Sequence, residues 1–385
     1  MIRVGILTFH HSENYGAFLQ AYALCNRLNE ESDIQAEVIN FRMKKEYLHY
    51  AHRKYRKFPN LRHLLWCIRH YHTYHFKKEL NSSLERGYLK MPLSESALMS
   101  DSIEDFQNFV RGKYDLIIAG SDEIWKIDSV RGFPTPYWLP GDLKCRKVSY
   151  AASSRVDFSK LDAGTREQIK IYLSDFSFIS VRDEVTKYNI QKYILPEREI
   201  YIFPDPSFIY EFHPDAGRGR KILKERTGLD PLKKTAVVMM EDSEIAEQIR
   251  SEIADEYQLI AVFSRKKGYR NLGKLDPFEW LDVIAGADMI CASYFHAVCF
   301  SIIFGTPFVA FAADGKESKL SAVLDASENS GRLYKKTKKL FQKGYIRDIV
   351  SRNAVPGKGQ DYVAGSREDF KKFLNIIQTP DQNGA

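Results

Sequence analysis

Short apolar runs recur along this chain, and the segments between them carry apolar residues on helical spacing. Val4-Gly5-Ile6-Leu7-Thr8-Phe9 is the first such run, His10 to Asn14 reads as a polar turn, and Ala17 to Leu28 follows as a helix with apolar positions at Leu19, Ala23 and Leu24. Further strands are predicted at Ala36 to Asn40, Tyr114 to Ala119, Lys147 to Ala151, Phe178 to Val181 and Glu199 to Phe203, with helical stretches between them. Pro204-Asp205-Pro206 then opens a polar stretch to Lys234. A second series follows: Thr235 to Met240, a helix to Tyr257, Leu259 to Phe263, a helix from Pro277, Met289 to Ala292, a helix from His296, and Pro307 to Phe311. Strands alternating with helices predict parallel sheets, so the expected fold class is α/β, in two lobes.

Length agrees, because 385 residues exceed what one core usually serves. The expected domains are residues 1–206, residues 207–360, and a helix within 361–380, around Glu368 to Ile377, packing back on the first lobe. The tail after Pro380 reads as frayed. Hydrophobic residues at 44% and charged residues at 28% are ordinary for a globular protein. Met1 to Phe9 lacks a basic n-region and a small-residue cleavage site, and no run approaches the roughly 18 apolar residues of a membrane span, so a cytoplasmic protein is expected. Cys25, Cys67, Cys145, Cys291 and Cys299 are scattered without CxxC spacing, which points to reduced thiols rather than disulfides or a zinc site.

Charge is concentrated in one place. Residues 42–78 hold eleven Lys or Arg against the single acid Glu46, a net +10, so the rest of the chain carries −3 of the overall +7. Six histidines and eight aromatic residues are interleaved there, as in Tyr55-Arg56-Lys57-Phe58 and Trp66-Cys67-Ile68-Arg69-His70-Tyr71. Cations mixed with rings suit an anionic membrane surface or a pyrophosphate-bearing ligand, and nucleic acid is a further option. A basic helical pair with solvated charges is the plain reading of the same pattern.

Ligands of open parallel sheets bind beyond the carboxyl ends of the strands, so the residues just after each strand are the candidates. Five segments stand there. Asn14-Tyr15-Gly16-Ala17 pairs a glycine with the free amides of a helix start, either as a binding loop or as a turn; no GxGxxG or Walker pattern follows it. In Gly120-Ser121-Asp122-Glu123-Ile124-Trp125, Asp122 is a helix cap or a polar contact in a cleft. Tyr150-Ala151-Ala152-Ser153-Ser154-Arg155 combines small residues with a cation. Ser180-Val181-Arg182-Asp183-Glu184 sets a guanidinium at a strand end, to fork an anion or to bridge Asp183 or Glu184. Cys291-Ala292-Ser293-Tyr294-Phe295-His296-Ala297 places His296 near a helix start, beside hydroxyls and anion-seeking amides.

In order and spacing from Arg3 to Phe311, these segments resemble the polysaccharide pyruvyl transferase family, whose pattern includes Asn-Tyr-Gly-Ala, Gly-Ser-Asp…Trp, Tyr-Ala-Ala-Ser, Ser-Val-Arg and Ser-Phe-His-Gly. The resemblance implies a GT-B-like architecture, two Rossmann-like lobes facing across a cleft. It also implies a transfer of the enolpyruvyl carbons of phosphoenolpyruvate onto two hydroxyls of one sugar, giving a cyclic pyruvate ketal and phosphate. No metal or organic cofactor is implied, and no nucleic acid. His296 and Asp122 are then the candidate catalytic residues, His296 to protonate C3 or bind the departing phosphate and Asp122 to deprotonate an acceptor hydroxyl. Arg182, Arg265, Ser293, Tyr294 and Ala297 are candidates for donor binding, and Asn14, Tyr15, Gly16, Ser121, Ser153 and Arg155 for acceptor binding. By analogy the second lobe takes the donor, and the first lobe, with its 42–78 insertion, takes the sugar, a lipid-linked pyrophosphate saccharide suiting that insertion. The chain departs from the pattern at three places: Tyr294 and Ala297 stand for Ser and Gly, Glu123 for a common glutamine, and Ser154-Arg155 for Phe-Gly. A nucleotide-sugar glycosyltransferase and a non-catalytic membrane-surface scaffold are the alternatives.

Overall fold

The computed structural model describes residues 1–11, 14–51, 61–69, 82–230, 232–273, 275–312 and 317–379. Much of the basic segment, residues 52–60 and 70–78, lies outside the described residues, as does the tail from Pro380. The chain forms two compact units, the first from Met1–Leu61, Lys90–Tyr210 and Ser366–Ala385, the second from Arg62–Leu89 and Glu211–Gly365.

In the first unit, β1 (Ile2–Leu7), β2 (Ile34–Val38), β3 (Leu116–Ala119) and β4 (Arg146–Ser149) form a parallel sheet in the order β2-β1-β3-β4. Bridges from Val148 to Phe178 and from Ala152 to Val181 lead on to a parallel pair, β5 (Ser180–Val181) and β6 (Tyr201–Ile202). Every residue of β3, Leu-Ile-Ile-Ala, is buried, as expected of a parallel strand covered on both faces. Helix α1 (Tyr15–Asn29) follows β1 and buries Phe18, Leu19, Ala21 and Leu24 against the sheet. The basic segment contributes two described helices, α2 (Lys44–Ala51) in this unit and α3 (Leu61–Arg69), which from Arg62 onward belongs to the second unit rather than to the first as expected.

The second unit is a six-stranded parallel sheet. Its strands are β7 (Lys234–Met239), β8 (Tyr257–Val262), β9 (Arg270–Leu272), β10 (Met289–Ala292), β11 (Phe308–Ala312) and β12 (Leu333–Lys335), in the order β9-β8-β7-β10-β11-β12. Counted within the unit this is 3-2-1-4-5-6, the Rossmann order, and it reverses direction between β7 and β10. Helix α4 (Ser243–Ile253) follows β7, and α5 (Phe295–Phe304) follows β10 and stops at Gly305, whose φ of +67° closes the helix in the left-handed region.

Several strands end earlier than their apolar runs. The run at Lys147 to Ala151 ends its regular ladder at Ser149, because Ala151 with φ of +49° interrupts it before Ala152 bridges to Val181, and that at Leu259 to Phe263 stops at Val262, where Phe263 adopts φ of +66°. The edge strands β9 and β12, Arg-Asn-Leu and Leu-Tyr-Lys, carry too few apolar residues to stand out in the sequence.

The last helix, α6 (Gln360–Gln378), belongs to the first unit from Ser366 onward. There Phe370 and Phe373 pack against the Tyr150 ring at centroid distances of 5.5 and 4.9 Å, and Arg146 donates to the carbonyls of Ile376, Ile377 and Thr379. A cation on those terminal carbonyls offsets the negative end of the helix dipole.

Candidate active site

The turns after β3, β4, β5 and β6 each deliver one polar side chain to a single network in the first unit. Gly120 and Asp122 follow β3 with φ of +133° and +77°, and the Gly120–Ser121 peptide is cis. A Cβ on Gly120 would stand 2.2 Å from the Tyr150 carbonyl oxygen, so only glycine fits. Arg182, directly after β5, donates through Nη1 to Asp205 Oδ2 at 2.9 Å, and through Nη2 to Ser153 Oγ at 3.1 Å and Asp122 Oδ1 at 3.5 Å. The other oxygen of Asp205 accepts from the Ser207 amide and hydroxyl at 3.1 and 2.8 Å, which fixes the carboxylate.

The side chains of Arg182, Asp122 and Asp205 are only 7, 14 and 2% exposed. Burial opposes the Arg182 charge, but the Asp205 and Asp122 carboxylates outweigh it and hold its pKa above the ordinary arginine value. The Arg182 guanidinium is thus shared between two carboxylates. Such a cluster suits taking a proton from a hydroxyl better than holding a second anion.

Around it the remaining first-unit candidates are also committed. Asn14 Oδ1 accepts the Gly16 amide at 2.9 Å and so caps α1, while Tyr15 is buried. The Ser121 carbonyl accepts from Thr8 Oγ1 at 3.0 Å, and its own hydroxyl is buried without an intramolecular hydrogen bond. Arg155 pairs with Glu123 at 3.0 Å. Beyond β1, His10 is wholly buried with Nδ1 3.1 Å from the Thr8 carbonyl oxygen, and burial pushes its pKa down to about 3.

The second unit presents a different edge. Beyond β7, Asp242 fills the start of α4, accepting the amides of Glu244 and Ile245 at 2.9 and 3.0 Å. Lys336 reaches the other Asp242 oxygen at 3.2 Å, and Lys266 donates to the Glu241 carbonyl at 2.7 Å. Beyond β10, the Ser293 amide donates to the Met239 carbonyl at 3.0 Å, continuing the pairing across the point where strand order reverses. Tyr294 then takes the N-cap position of α5 without donating or accepting a side-chain capping bond. The positive end of the helix dipole therefore faces this turn with no capping bond from the Tyr294 side chain. His296 is buried at 5% exposure, and Lys319 stands 4.3 Å over the Phe295 ring. The Tyr294 ring lies 6.1 Å from that of Phe263, and burial pushes its hydroxyl pKa up, which keeps it neutral. Arg265, two residues past Phe263, is exposed.

The structure thus gathers Asp122, Ser153 and Arg182 in one network, and Ser293, Tyr294, His296 and Ala297 in one turn. Arg182 stands among the first-unit residues, paired with Asp122 and Asp205 rather than with Asp183, which instead caps the helix Glu184–Tyr193. Three contributors were not singled out in the sequence. Asp205 stands just after an apolar strand and the strand-exit rule would have found it, but its flanking prolines made it read as a linker. Lys319 follows β11 beyond residues that are not described. Arg131 is 7% exposed, bridges Glu46 at 3.2 Å, donates to the Glu123 carbonyl at 3.2 Å and covers the Phe9 ring at 4.0 Å, contacts no local pattern announces. Among the described residues no cluster of His, Cys, Asp or Glu could hold a metal ion, and the four described cysteines are free thiols.

A family model described as Polysaccharide pyruvyl transferase matches residues 14–315. No curated protein matches the chain. Among solved structures, UDP-GlcNAc 2-epimerase from Methanocaldococcus jannaschii is similar with a TM-score of 0.55 at 10% identity, over 98% of this chain and 100% of that one. The UDP-GlcNAc 2-epimerase from Neisseria meningitidis bound to UDP-GlcNAc gives 0.52 at 9% identity, over 97% of this chain and 100% of that one. UDP-N-acetylglucosamine 2-epimerase from Rickettsia bellii gives 0.51 at 11% identity, over 98% and 96%. At these identities the likeness is one of fold: two Rossmann-like units of the GT-B type.

Proposed function

The chain belongs to the polysaccharide pyruvyl transferase family, and from that membership we propose that it transfers the enolpyruvyl group of phosphoenolpyruvate to two hydroxyls of one sugar in a polysaccharide precursor. In the reaction, C3 of the donor gains a proton, C2 becomes electrophilic, and the first hydroxyl adds to it. The second hydroxyl then takes the place of phosphate at C2. Two C–O bonds form, one C–O bond to phosphate breaks, and of the two hydroxyl protons released one balances the proton on C3 and the other leaves with phosphate.

The observation that carries this reading is the uncapped start of α5 at the strand-order reversal, with His296 in its first turn. Helix-start amides bind phosphate and carboxylate oxygens, and phosphoenolpyruvate has both. The neighbouring start of α4 is filled by Asp242, and that of α1 by Asn14, so an anion meets acceptor oxygens at those two, whereas Tyr294 makes no capping bond at α5. We assign the donor to the second unit, with Ser293, Tyr294, Ala297 and Arg265 around it and His296 as the proton donor or phosphate ligand. The first unit takes the sugar: Asp122, held by Arg182, accepts a hydroxyl proton, with Ser153, Ser121, Arg155 and the Asn14-Tyr15-Gly16 turn nearby in the same unit. The +10 segment suits the pyrophosphate of a lipid-linked saccharide, as in capsule or exopolysaccharide assembly, at the inner face of a cytoplasmic membrane. No described helix is long and apolar enough to cross a membrane.

The test is incubation with phosphoenolpyruvate and a panel of lipid-linked and water-soluble galactosides, following inorganic phosphate and the acidic ketal by mass. Phosphate and ketal in equal amounts support the reading. Consumption of a nucleotide sugar in the same panel, with no ketal, would overturn it in favour of glycosyl transfer.

A further inference from the structure

Leu61, Leu65 and Ile68 stand at i, i+4 and i+7 of α3, on one face of the helix, and are 70, 58 and 66% exposed. A single exposed leucine is ordinary, whereas three aligned on one helical face make a stripe. Arg69, in the last turn of the same helix, is exposed too. The helix sits inside the segment that holds eleven Lys or Arg against Glu46, with eight aromatic residues among them.

Two occupants fit an apolar stripe, and charge separates them. A second copy of this chain would bring a +10 segment against another +10 segment, so self-association through this face works against like-charge repulsion. An anionic bilayer offers acidic headgroups to the cations and an acyl boundary to the leucines and isoleucine, and aromatic residues settle readily between the two.

We propose that α3 is an interfacial helix whose Leu61, Leu65 and Ile68 enter the headgroup–acyl boundary of an anionic bilayer while lysines and arginines of the same stretch of sequence hold the headgroups. The proposal rests on the lipid-linked acceptor for its purpose and makes the surface of the membrane, rather than the pyrophosphate alone, the partner of this segment.

Co-flotation of the full chain with vesicles tests it, using phosphatidylcholine alone and phosphatidylcholine with phosphatidylglycerol, at low and high salt. The comparison variant is the triple substitution Leu61→Gln, Leu65→Gln, Ile68→Gln, which keeps the charge and changes only side chains already in solvent. The expected result is binding to the acidic vesicles that weakens with salt and falls at least about tenfold in the triple variant. A parent chain that ignores acidic vesicles overturns the proposal. So does a triple variant that floats as well as the parent, which would leave a contact of charge alone, and so does a concentration-dependent dimer that the triple substitution dissolves. Ketal formation on a water-soluble galactoside, measured in the same preparations, is retained in the triple variant. Its absence from parent and variant alike would count against the transferase reading and leave the flotation result to decide this one.

Discussion

Both units end parallel strands in turns that carry polar side chains, but the two edges are finished differently. In the first unit, Asp122, Ser153, Arg182 and Asp205 come from four neighbouring strand exits and satisfy one another, and Asn14 fills the start of α1. In the second, Asp242 fills one helix start while Tyr294 makes no capping bond at the next, where His296, Lys319 over the Phe295 ring and the Glu241 charge stand near. An edge whose carboxylates are held by a guanidinium can hold a neutral hydroxyl and receive its proton. A helix start without a capping bond from its N-cap side chain attracts an anion. On the proposed function the asymmetry would divide the labour between an anionic donor and a neutral acceptor, and it can be broken experimentally from either side.

The largest effect is expected at His296. His296→Ala should lower kcat for phosphate release by about 10²–10⁴, the usual yield of a positioned acid or base, in a chain that still unfolds cooperatively. Steady-state rates at saturating phosphoenolpyruvate check this. A variant that keeps phosphate release would detach the second edge from the chemistry.

Arg182 comes next. Arg182→Met removes a cation that pairs with two buried carboxylates and should cost about 3–5 kcal/mol of stability. Arg265→Ala, at an exposed position of the second edge, should stay within about 0.5 kcal/mol. Urea unfolding of the pair measures the contrast, and equal midpoints would mean that the first edge is not internally compensated.

What the sequence revealed and what it concealed follow the same division. Strands buried on both faces, such as Leu-Ile-Ile-Ala of β3 and Met-Ile-Cys-Ala of β10, are apolar throughout and stand out in the chain. The edge strands β9 and β12, half polar, do not. Asp122, Ser153 and Arg182 were legible because each directly follows an apolar run. Asp205 was not, since Pro204 and Pro206 gave it the look of a boundary, and the Arg131–Glu46 pair spans 85 positions that no local pattern links. Helix starts could be located from the sequence, whereas which of them would be capped depended on side-chain geometry: Asn14 turns back onto Gly16, and Tyr294 leans toward Phe263.

A pH effect should mark the first edge. Burial lowers the His10 pKa from 6.5 to about 3, with the nearby Arg42 charge adding to the shift. The unfolded chain therefore binds a proton at pH 5 that the folded chain does not. The contribution of this group is full above pH 6.5 and is lost as pH falls from there toward 3, with a slope of at most about 1.4 kcal/mol per pH unit. Urea midpoints at pH 7 and pH 5 should differ accordingly, and His10→Gln should flatten the dependence. An unchanged slope would place the acid sensitivity elsewhere.

The smallest and sharpest test concerns Ala297, where the family pattern has glycine. Ala297 is the third residue of α5 and wholly buried, and a helical Cβ leans toward the start of its helix, here toward the first-turn amides. Removing that methyl lets a phosphate or carboxylate oxygen come closer to the backbone, at the price of helix propensity. Ala297→Gly should therefore lower the KM for phosphoenolpyruvate by about threefold, roughly 0.6 kcal/mol, while costing up to about 1 kcal/mol of stability. Both quantities come from one preparation, by initial rates and by urea unfolding. A stability loss with KM unmoved would make Ala297 a packing residue only and shift the donor's oxygens to the amides of Phe295 and His296. A lower KM would show that the second edge binds through its backbone, which is the property the first edge, with its amides and cation already taken, does not offer.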